Sequence, residues 1–233
     1  MKISVIIPCY NEAKNIPIII NEFKKLDKVD FELELVLVNN GSNDYSGKIL
    51  NEEMKKNQFI TVVNVDVNQG YGYGILQGLK YAKGEYLAWL HADMQISPKE
   101  ILTAVKIIKR ENFSEKIFIK GERMNRPLVD RFFTACMSIF ESVYLGEKLY
   151  DIGAIPVCFH RSFCEKLLNP PFDFSLELYV YCIAMKNKYK LCRFPVVQSE
   201  RVFGESSWNS GMLSRIKQVR KVLNYSFKLK KNL

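Results

Sequence analysis

Four short apolar runs in the first 110 residues each stop in a polar loop and give way to a helical pattern, and this alternation constrains the fold more than any other feature. Residues 2–7 (Lys-Ile-Ser-Val-Ile-Ile) read as a buried strand that Pro8 is expected to end. A helix is expected over 13–25, with Ile16, Ile19, Ile20 and Phe23 on one face. Residues 33–38, 59–65 and 85–90 read as three further strands. Asn39-Asn40-Gly41-Ser42 is a turn after which Asn43 or Asp44 can cap a helix, and the glycine loop 68–74 leads into a helix ending at Ala82. Ser97-Pro98-Lys99-Glu100 has the order of a helix start: serine as cap, proline at the first position, glutamate at the third. Strands alternating with helices over short links specify a parallel, doubly wound sheet, and such sheets bind ligands beyond the carboxyl ends of their strands. The polar loops 8–12, 39–44, 68–74 and 91–95 all fall at that edge.

The second half is less regular. Strands are expected over 117–120, 154–159 and 191–197, and helices over 129–144, 173–186 and 214–227. Neither a repeat nor a linker interrupts the 233 residues, so one α/β domain is expected. A charged fraction of 25% and an apolar fraction of 48% exclude disorder as the default. The net charge of +9 points to an anionic partner. It is concentrated at the C-terminus, where Arg215, Lys217, Arg220, Lys221, Lys228, Lys230 and Lys231 occur without an acid. That basic segment, with Val219, Val222, Leu223 and Phe227 as an apolar face, suggests peripheral contact with an anionic membrane. No run approaches the roughly 20 apolar residues of a membrane span. The six cysteines form no CxxC pair and read as reduced, mostly buried thiols of a cytoplasmic protein, placed at most against the inner face of the membrane.

Four constellations carry chemistry. His91-Ala92-Asp93-Met94-Gln95 follows a strand ending in Trp89-Leu90; an extended segment would turn positions 91, 93 and 95 the same way. One imidazole nitrogen and two oxygens suit Mn²⁺ or Mg²⁺ bridging a diphosphate, while a helix cap by Asp93 is the competing explanation. Gly70, Gly72, Gly74 and Gly78 follow the third strand, whereas a dinucleotide fingerprint belongs after the first; the loop is expected instead to let backbone approach a sugar nucleotide. In Pro8-Cys9-Tyr10-Asn11-Glu12, Tyr10 can stack on a base and Glu12 can accept from ribose or base. Arg201 opens a Gly-Glu-Ser-Ser loop, and its planar fork matches a diphosphate. Nucleic-acid binding would explain the charge but not the acidic and glycine loops.

Taken in order, Val5–Glu12, Val38–Asp44, Asn68–Gly72, Gly84-Glu85-Tyr86 with His91–Gln95, and Arg201–Ser207 resemble the family 2 glycosyltransferases of the GT-A fold, and within them the dolichyl- or polyprenyl-phosphate sugar synthases. The resemblance implies a single GT-A domain, a central mostly parallel sheet with helices on both faces. Residues 1–110 would form the nucleotide-binding half, 111–210 the acceptor half and 211–233 a basic C-terminal helix. It implies an inverting transfer from a UDP- or GDP-sugar to a saccharide or polyprenyl-phosphate acceptor. Pro8, Tyr10 and Glu12 would hold the nucleoside, and Asn40 with Asn39 would face the base. Gly70 and Ala92 would line the donor site, and Asp93, Gln95 and His91 would hold Mn²⁺ or Mg²⁺. Arg123 and Arg131 match positions that meet phosphate in the polyprenyl-phosphate branch, and Arg201 would clamp the diphosphate. For a hydroxyl acceptor, Asp173 and Glu177, four apart on one expected helix face, are the candidate bases.

The chain departs from the family pattern at three places. His91 stands where the metal motif usually has Asp, which favours Mn²⁺ over the harder Mg²⁺. Asn39-Asn40 replaces Asp-Asp, and an amide suits a uracil edge, so a UDP-sugar is expected. Ser207 stands where the polyprenyl branch often has Lys. An inactive or regulatory nucleotide-sugar-binding protein of the same fold is the alternative these departures raise.

Overall fold

The computed structural model describes residues 1–26, 31–201, 203 and 212–232. Among these residues, seven strands form one sheet in the order β3-β2-β1-β4-β6-β5-β7. Their bounds are β1 Lys2–Cys9, β2 Glu32–Asn40, β3 Ile60–Val65, β4 Tyr86–Trp89, β5 Ile117–Arg123, β6 Val157–His160 and β7 Lys190–Val196. β1 pairs in parallel with β2 and β4, β2 with β3, and β5 with β7. Only β6 runs against its neighbours β4 and β5. The mostly parallel α/β architecture expected from the sequence is therefore the one found.

β1 and β2 are buried almost throughout because they lie at the centre of a sheet covered on both sides, and their sequences are correspondingly continuous in Ile, Val and Leu. Pro8 does not end β1; it pairs with Val38 inside the ladder. The reason lies in strand parity. The Ile6 carbonyl bonds Leu90 on the β4 side, so Pro8, two residues on, faces that same side, where β4 has already stopped at Trp89. Its missing N–H thus costs the ladder nothing.

Among the described residues, seven α-helices connect and flank the strands: α1 Ile16–Leu26, α2 Ser46–Lys56, α3 Tyr71–Tyr81, α4 Glu100–Arg110, α5 Leu128–Leu145, α6 Ser175–Lys186 and α7 Met212–Asn232. α1 starts later than expected but buries the expected Ile16, Ile19, Ile20 and Phe23. The order runs outward from β1 through β2 to β3, then jumps back to β4. With right-handed crossovers, that reversal sends α3 to the face opposite α1 and α2. α3 lies on β1 and β2 so closely that a Cβ on Gly78 would stand 2.4 Å from Ile6. The switch between β1 and β4 opens a crevice at their carboxyl ends, where the loops after β1, β2 and β4 meet.

α7 is not a free tail. Ser226 Oγ donates to Glu141 Oε1 of α5 at 2.7 Å, Phe227 meets Tyr144 edge-on, and Lys230 lies over the Tyr144 ring. Of its expected apolar face, Val222 packs into the core while Val219 and Phe227 are exposed. Among the described residues, no helix is long and apolar enough to cross a membrane.

Candidate active site

The loop after β1 is tied to the loop after β2. The Asn11 amide donates to Ser42 Oγ, the Asn43 amide to Asn11 Oδ1 and the Glu12 amide to Ser46 Oγ. Asp44 Oδ1 accepts from the Ser46 amide at 2.8 Å and so braces the start of α2, but from one residue outside the N-cap expected of it, which is Tyr45. These bonds leave Tyr10 exposed at the rim. Burial raises the Glu12 pKa, against the hydrogen bond from Asn15 Nδ2.

Asn39 and Asn40, adjacent on β2, point to opposite faces and do different work. Asn39 is used locally: its Nδ2 donates to Asn64 and its Oδ1 accepts the Ser42 amide. Asn40 is buried beside the glycine loop, where its Nδ2 donates to the Gly70 carbonyl at 3.0 Å. Its Oδ1 is buried and meets no donor among the described residues. An unpaired buried acceptor is costly, so it marks a place that a ligand N–H would satisfy.

The glycine loop does not open to a ligand as expected. Gly70 has φ +113° and a Cβ there would lie 2.4 Å from the Phe172 carbonyl; one on Gly72 would lie 2.7 Å from the Pro171 and Asp173 carbonyls. The glycines admit the backbone of 171–173, bringing the start of α6 against the start of α3.

That approach creates a feature the sequence did not announce. Tyr71 stacks on Phe174 with centroids 4.3 Å apart, and His91 meets its edge. The Tyr71 hydroxyl lies 2.8 Å from His91 Nε2 and donates to Glu177 Oε1 at 3.0 Å. Trp89 Nε1 donates to the same oxygen at 2.8 Å, and Lys120 Nζ lies 3.4 Å from Oε2. Lys120 also donates to the Ala154 carbonyl. Burial, then the charge of Glu177, holds the Tyr71 phenol protonated. Burial likewise pushes His91 toward its neutral form, against Asp93 and Glu177, and lowers Lys120 to about 8, against Glu177. Tyr71, Trp89 and Lys120 were missed as site residues; a lysine in the apolar run 117–120 was the one visible signal.

Glu177 is thereby corrected as a candidate base. It is 3% exposed and saturated by three donors. Nor does it share a helix face with Asp173, which lies before α6 and caps it by accepting the Ser175 amide at 2.8 Å.

The segment 91–95 is a turn, with Met94 at φ +58°, and not the extended run that would align three side chains by alternation. Asp93 is buried, its Oδ1 accepts the Gln95 amide, and its Oδ2 pairs with Arg201 at 3.0 Å. Gln95 exchanges backbone and side-chain bonds with Ser199, fixing Arg201 over the turn. Ala92 is buried beneath them. Residues 204–208 of the expected closing loop lie outside the described residues. Among the described residues no group of three His, Cys, Asp or Glu side chains gathers. One carboxylate, one imidazole and one amide oxygen are therefore an incomplete cage. By donor type, though not by any alignment within the turn, they suit a borderline cation such as Mn²⁺ that would take its remaining oxygens from a diphosphate.

Arg123 and Arg131 border a cleft of about 140 Å³, together with Arg126 and Asp151. Arg123 pairs with Asp151, and Arg126 Nη1 lies 3.8 Å from it. Burial works against the Asp151 carboxylate, but Arg123 holds its pKa below the usual range. Arg131 is exposed. Tyr150 also lines an adjoining cleft of about 330 Å³ against Ile139 and Val143 of α5.

Comparison with known proteins gives three findings. Residues 4–167 match the model of "Glycosyl transferase family 2". The chain is 26% identical over 220 residues to an undecaprenyl-phosphate 4-deoxy-4-formamido-L-arabinose transferase of Sodalis glossinidius, and 25% identical over 213 residues to that of Photorhabdus laumondii. Each match covers 89% of this chain and 63% of the relative, so the chain spans less than two thirds of these relatives' length. Its fold matches glucosyl-3-phosphoglycerate synthase of Mycobacterium tuberculosis, in complex with Mn²⁺, UDP and glucosyl-3-phosphoglycerate, with a TM-score of 0.73 at 17% identity over 99% of this chain and 80% of that one.

Proposed function

The chain belongs to glycosyl transferase family 2, and from that premise we propose that it moves a glycosyl group, with inversion, from a UDP-sugar to a polyprenyl-phosphate acceptor at a membrane surface. Two observations carry the donor assignment: the Asp93–Arg201 pair in the turn after β4, and, at the end of β2, a buried Asn40 Oδ1 that meets no donor among the described residues. Asn40 Oδ1 accepts the uracil imide N–H, Tyr10 covers the base, and Pro8 and Glu12 line the nucleoside. Asn39, committed to Asn64 and Ser42, positions the turn. Arg201 exchanges Asp93 for the diphosphate when the donor enters. A divalent cation held by Asp93, Gln95 and His91 would neutralise charge on the leaving diphosphate.

In the transfer, an acceptor oxygen forms a bond to the anomeric carbon as the bond to the diphosphate breaks, and the electron pair leaves with UDP. Arg201 stabilises the charge that develops there. A phosphate acceptor attacks through an oxygen that is already anionic and needs no base. Asp173→Asn should therefore leave turnover on a phosphate acceptor unchanged; wild-type turnover of a saccharide acceptor that falls about a hundredfold in the variant would return Asp173 to the mechanism as a base and favour a hydroxyl acceptor.

The acceptor assignment is supported by the arginine-lined cleft next to the apolar one along α5, a pairing that suits a phosphate with a hydrocarbon tail. Leu128, Val129, Phe132, Phe133, Ile139 and Val143 of α5 are all exposed, an apolar stripe flanked by the basic α7. Such a stripe beside basic residues suits an anionic lipid surface. Co-sedimentation with anionic vesicles that survives Phe132→Ser with Phe133→Ser would remove the membrane from this account.

The deciding experiment is metal-dependent release of nucleoside diphosphate from a panel of sugar donors. Release from a UDP-sugar is expected, with calorimetry giving tighter binding of UDP than GDP. Binding without turnover on any donor and acceptor would favour the nucleotide-sugar-binding alternative.

A further inference from the structure

We propose that Tyr71 and Glu177 are positioning residues that lock His91 in its Nε2–H tautomer, so that Nδ1 is the nitrogen this chain offers to a divalent cation. The proposal deepens the metal-dependent reading above and rests on it.

The Trp89 indole and the Lys120 ammonium can only donate, so both Glu177 oxygens are committed as acceptors. The Tyr71 hydroxyl has one proton. It lies 3.0 Å from Glu177 Oε1, which cannot donate, so that proton points at the carboxylate. Only lone pairs remain on the phenol oxygen for His91 Nε2 at 2.8 Å, which must therefore carry a hydrogen. A neutral imidazole has one N–H, and Nδ1 is left bare.

The geometry is held from several sides. Phe174 stacks on Tyr71 at an interplanar angle of 7°, fixing the ring that carries the hydroxyl. Gly70 and Gly72 let the backbone of 171–173 come close enough to place Phe174 there. Glu177 is anchored by groups from β4 and β5, Trp89 and Lys120, and does not depend on His91 for its place. A histidine bound to metal through one nitrogen commonly donates its other N–H to a fixed acceptor, which sets both tautomer and ring orientation. At His91 the acceptor is a phenol backed by a buried carboxylate. The relay gives a reason why a chain with His at this position can keep a defined ligand.

The chain has two histidines, His91 and His160, so ¹⁵N-histidine correlation spectra are tractable. In the metal-free wild type, His91 should show a protonated Nε2 and a bare Nδ1. On adding diamagnetic Zn²⁺ with UDP, its Nδ1 resonance should shift while Nε2 stays protonated. Tyr71→Phe, which keeps the ring and its stacking, should mix the tautomers and weaken Mn²⁺ binding in the presence of UDP about 10- to 100-fold, read by electron paramagnetic resonance. A protonated Nδ1 in the wild type overturns the proposal without any variant. So does a Tyr71→Phe protein that retains both the wild-type spectrum and the wild-type Mn²⁺ affinity. Metal binding that depends on Asp93 but leaves the His91 Nδ1 resonance unshifted with Zn²⁺ removes His91 as a ligand and overturns the proposal. No Mn²⁺ binding with UDP present removes the metal-dependent reading itself.

Discussion

Glu34 and Glu177 are both buried carboxylates held by three donors, at opposite ends of the central strands. Glu34 sits near the amino end of β2. It accepts from Ser4 Oγ at 2.5 Å, Thr61 Oγ1 at 3.2 Å and the Lys83 amide at 2.7 Å, while Ser4 Oγ accepts from the Gly84 amide. Every donor is neutral, and the cluster ties β1, β2, β3 and the turn before β4 to one another. Glu177 accepts from an indole, an ammonium and a phenol, and the phenol reaches His91. Burial and partner number are therefore a poor guide to role. What separates the two is where the last hydrogen bond ends: in the sheet for Glu34, at His91 beside the crevice beyond β1 and β4 for Glu177.

The contrast can be broken by experiment. The largest effect should come from Glu177→Ala, which strands the Lys120 ammonium in the core and should lower unfolding free energy by about 3–5 kcal/mol in urea titrations. A loss near zero would mean Lys120 is satisfied without the carboxylate. Asp93→Asn, at the cleft end of the same region, should slow nucleoside diphosphate release about 10²- to 10³-fold, or about 2.7–4 kcal/mol, while the urea midpoint stays near that of the wild type. Glu34→Gln should cost about 1–3 kcal/mol of stability, since one oxygen becomes a donor facing donors, and should leave the His91 spectrum and Mn²⁺ affinity untouched. A shift in either would dissolve the distinction drawn between the two carboxylates. The smallest stability effect should come from the pair Lys120→Met with Glu177→Met. Removing both charges together should recover most of what Glu177→Ala loses, leaving about 1 kcal/mol or less, yet the His91 tautomer should stay mixed.

Much of the first half was legible. The strands, the face of α1 and the edge where the loops converge follow from apolar runs and turn chemistry, which act over a few residues. Pro8 misled because its missing donor matters only if a strand faces it, and the early end of β4 is a fact about another segment. The glycine loop misled similarly: small residues announce a close approach without saying what approaches. Asp173 and Glu177, four residues apart, looked like one pair. In the fold they separate into a helix cap and a core anchor, because helix α6 begins after Asp173 and buries the next turn.

The sequence by itself determined the class of sheet, the edge that carries the ligand loops and the family to which the chain belongs, because strand periodicity and motif order are properties of neighbouring residues. Only the tertiary structure decided which polar groups face the crevice and which are consumed on the way. Asn39 and Asn40 are adjacent, yet one is spent on its own turn and the other keeps a buried acceptor unpaired. His91, Tyr71, Lys120 and Glu177 are distant in sequence, yet they form one hydrogen-bonded chain. A hydrogen bond depends on about 3 Å of separation and on which atom holds the proton, and folding, not sequence spacing, sets both.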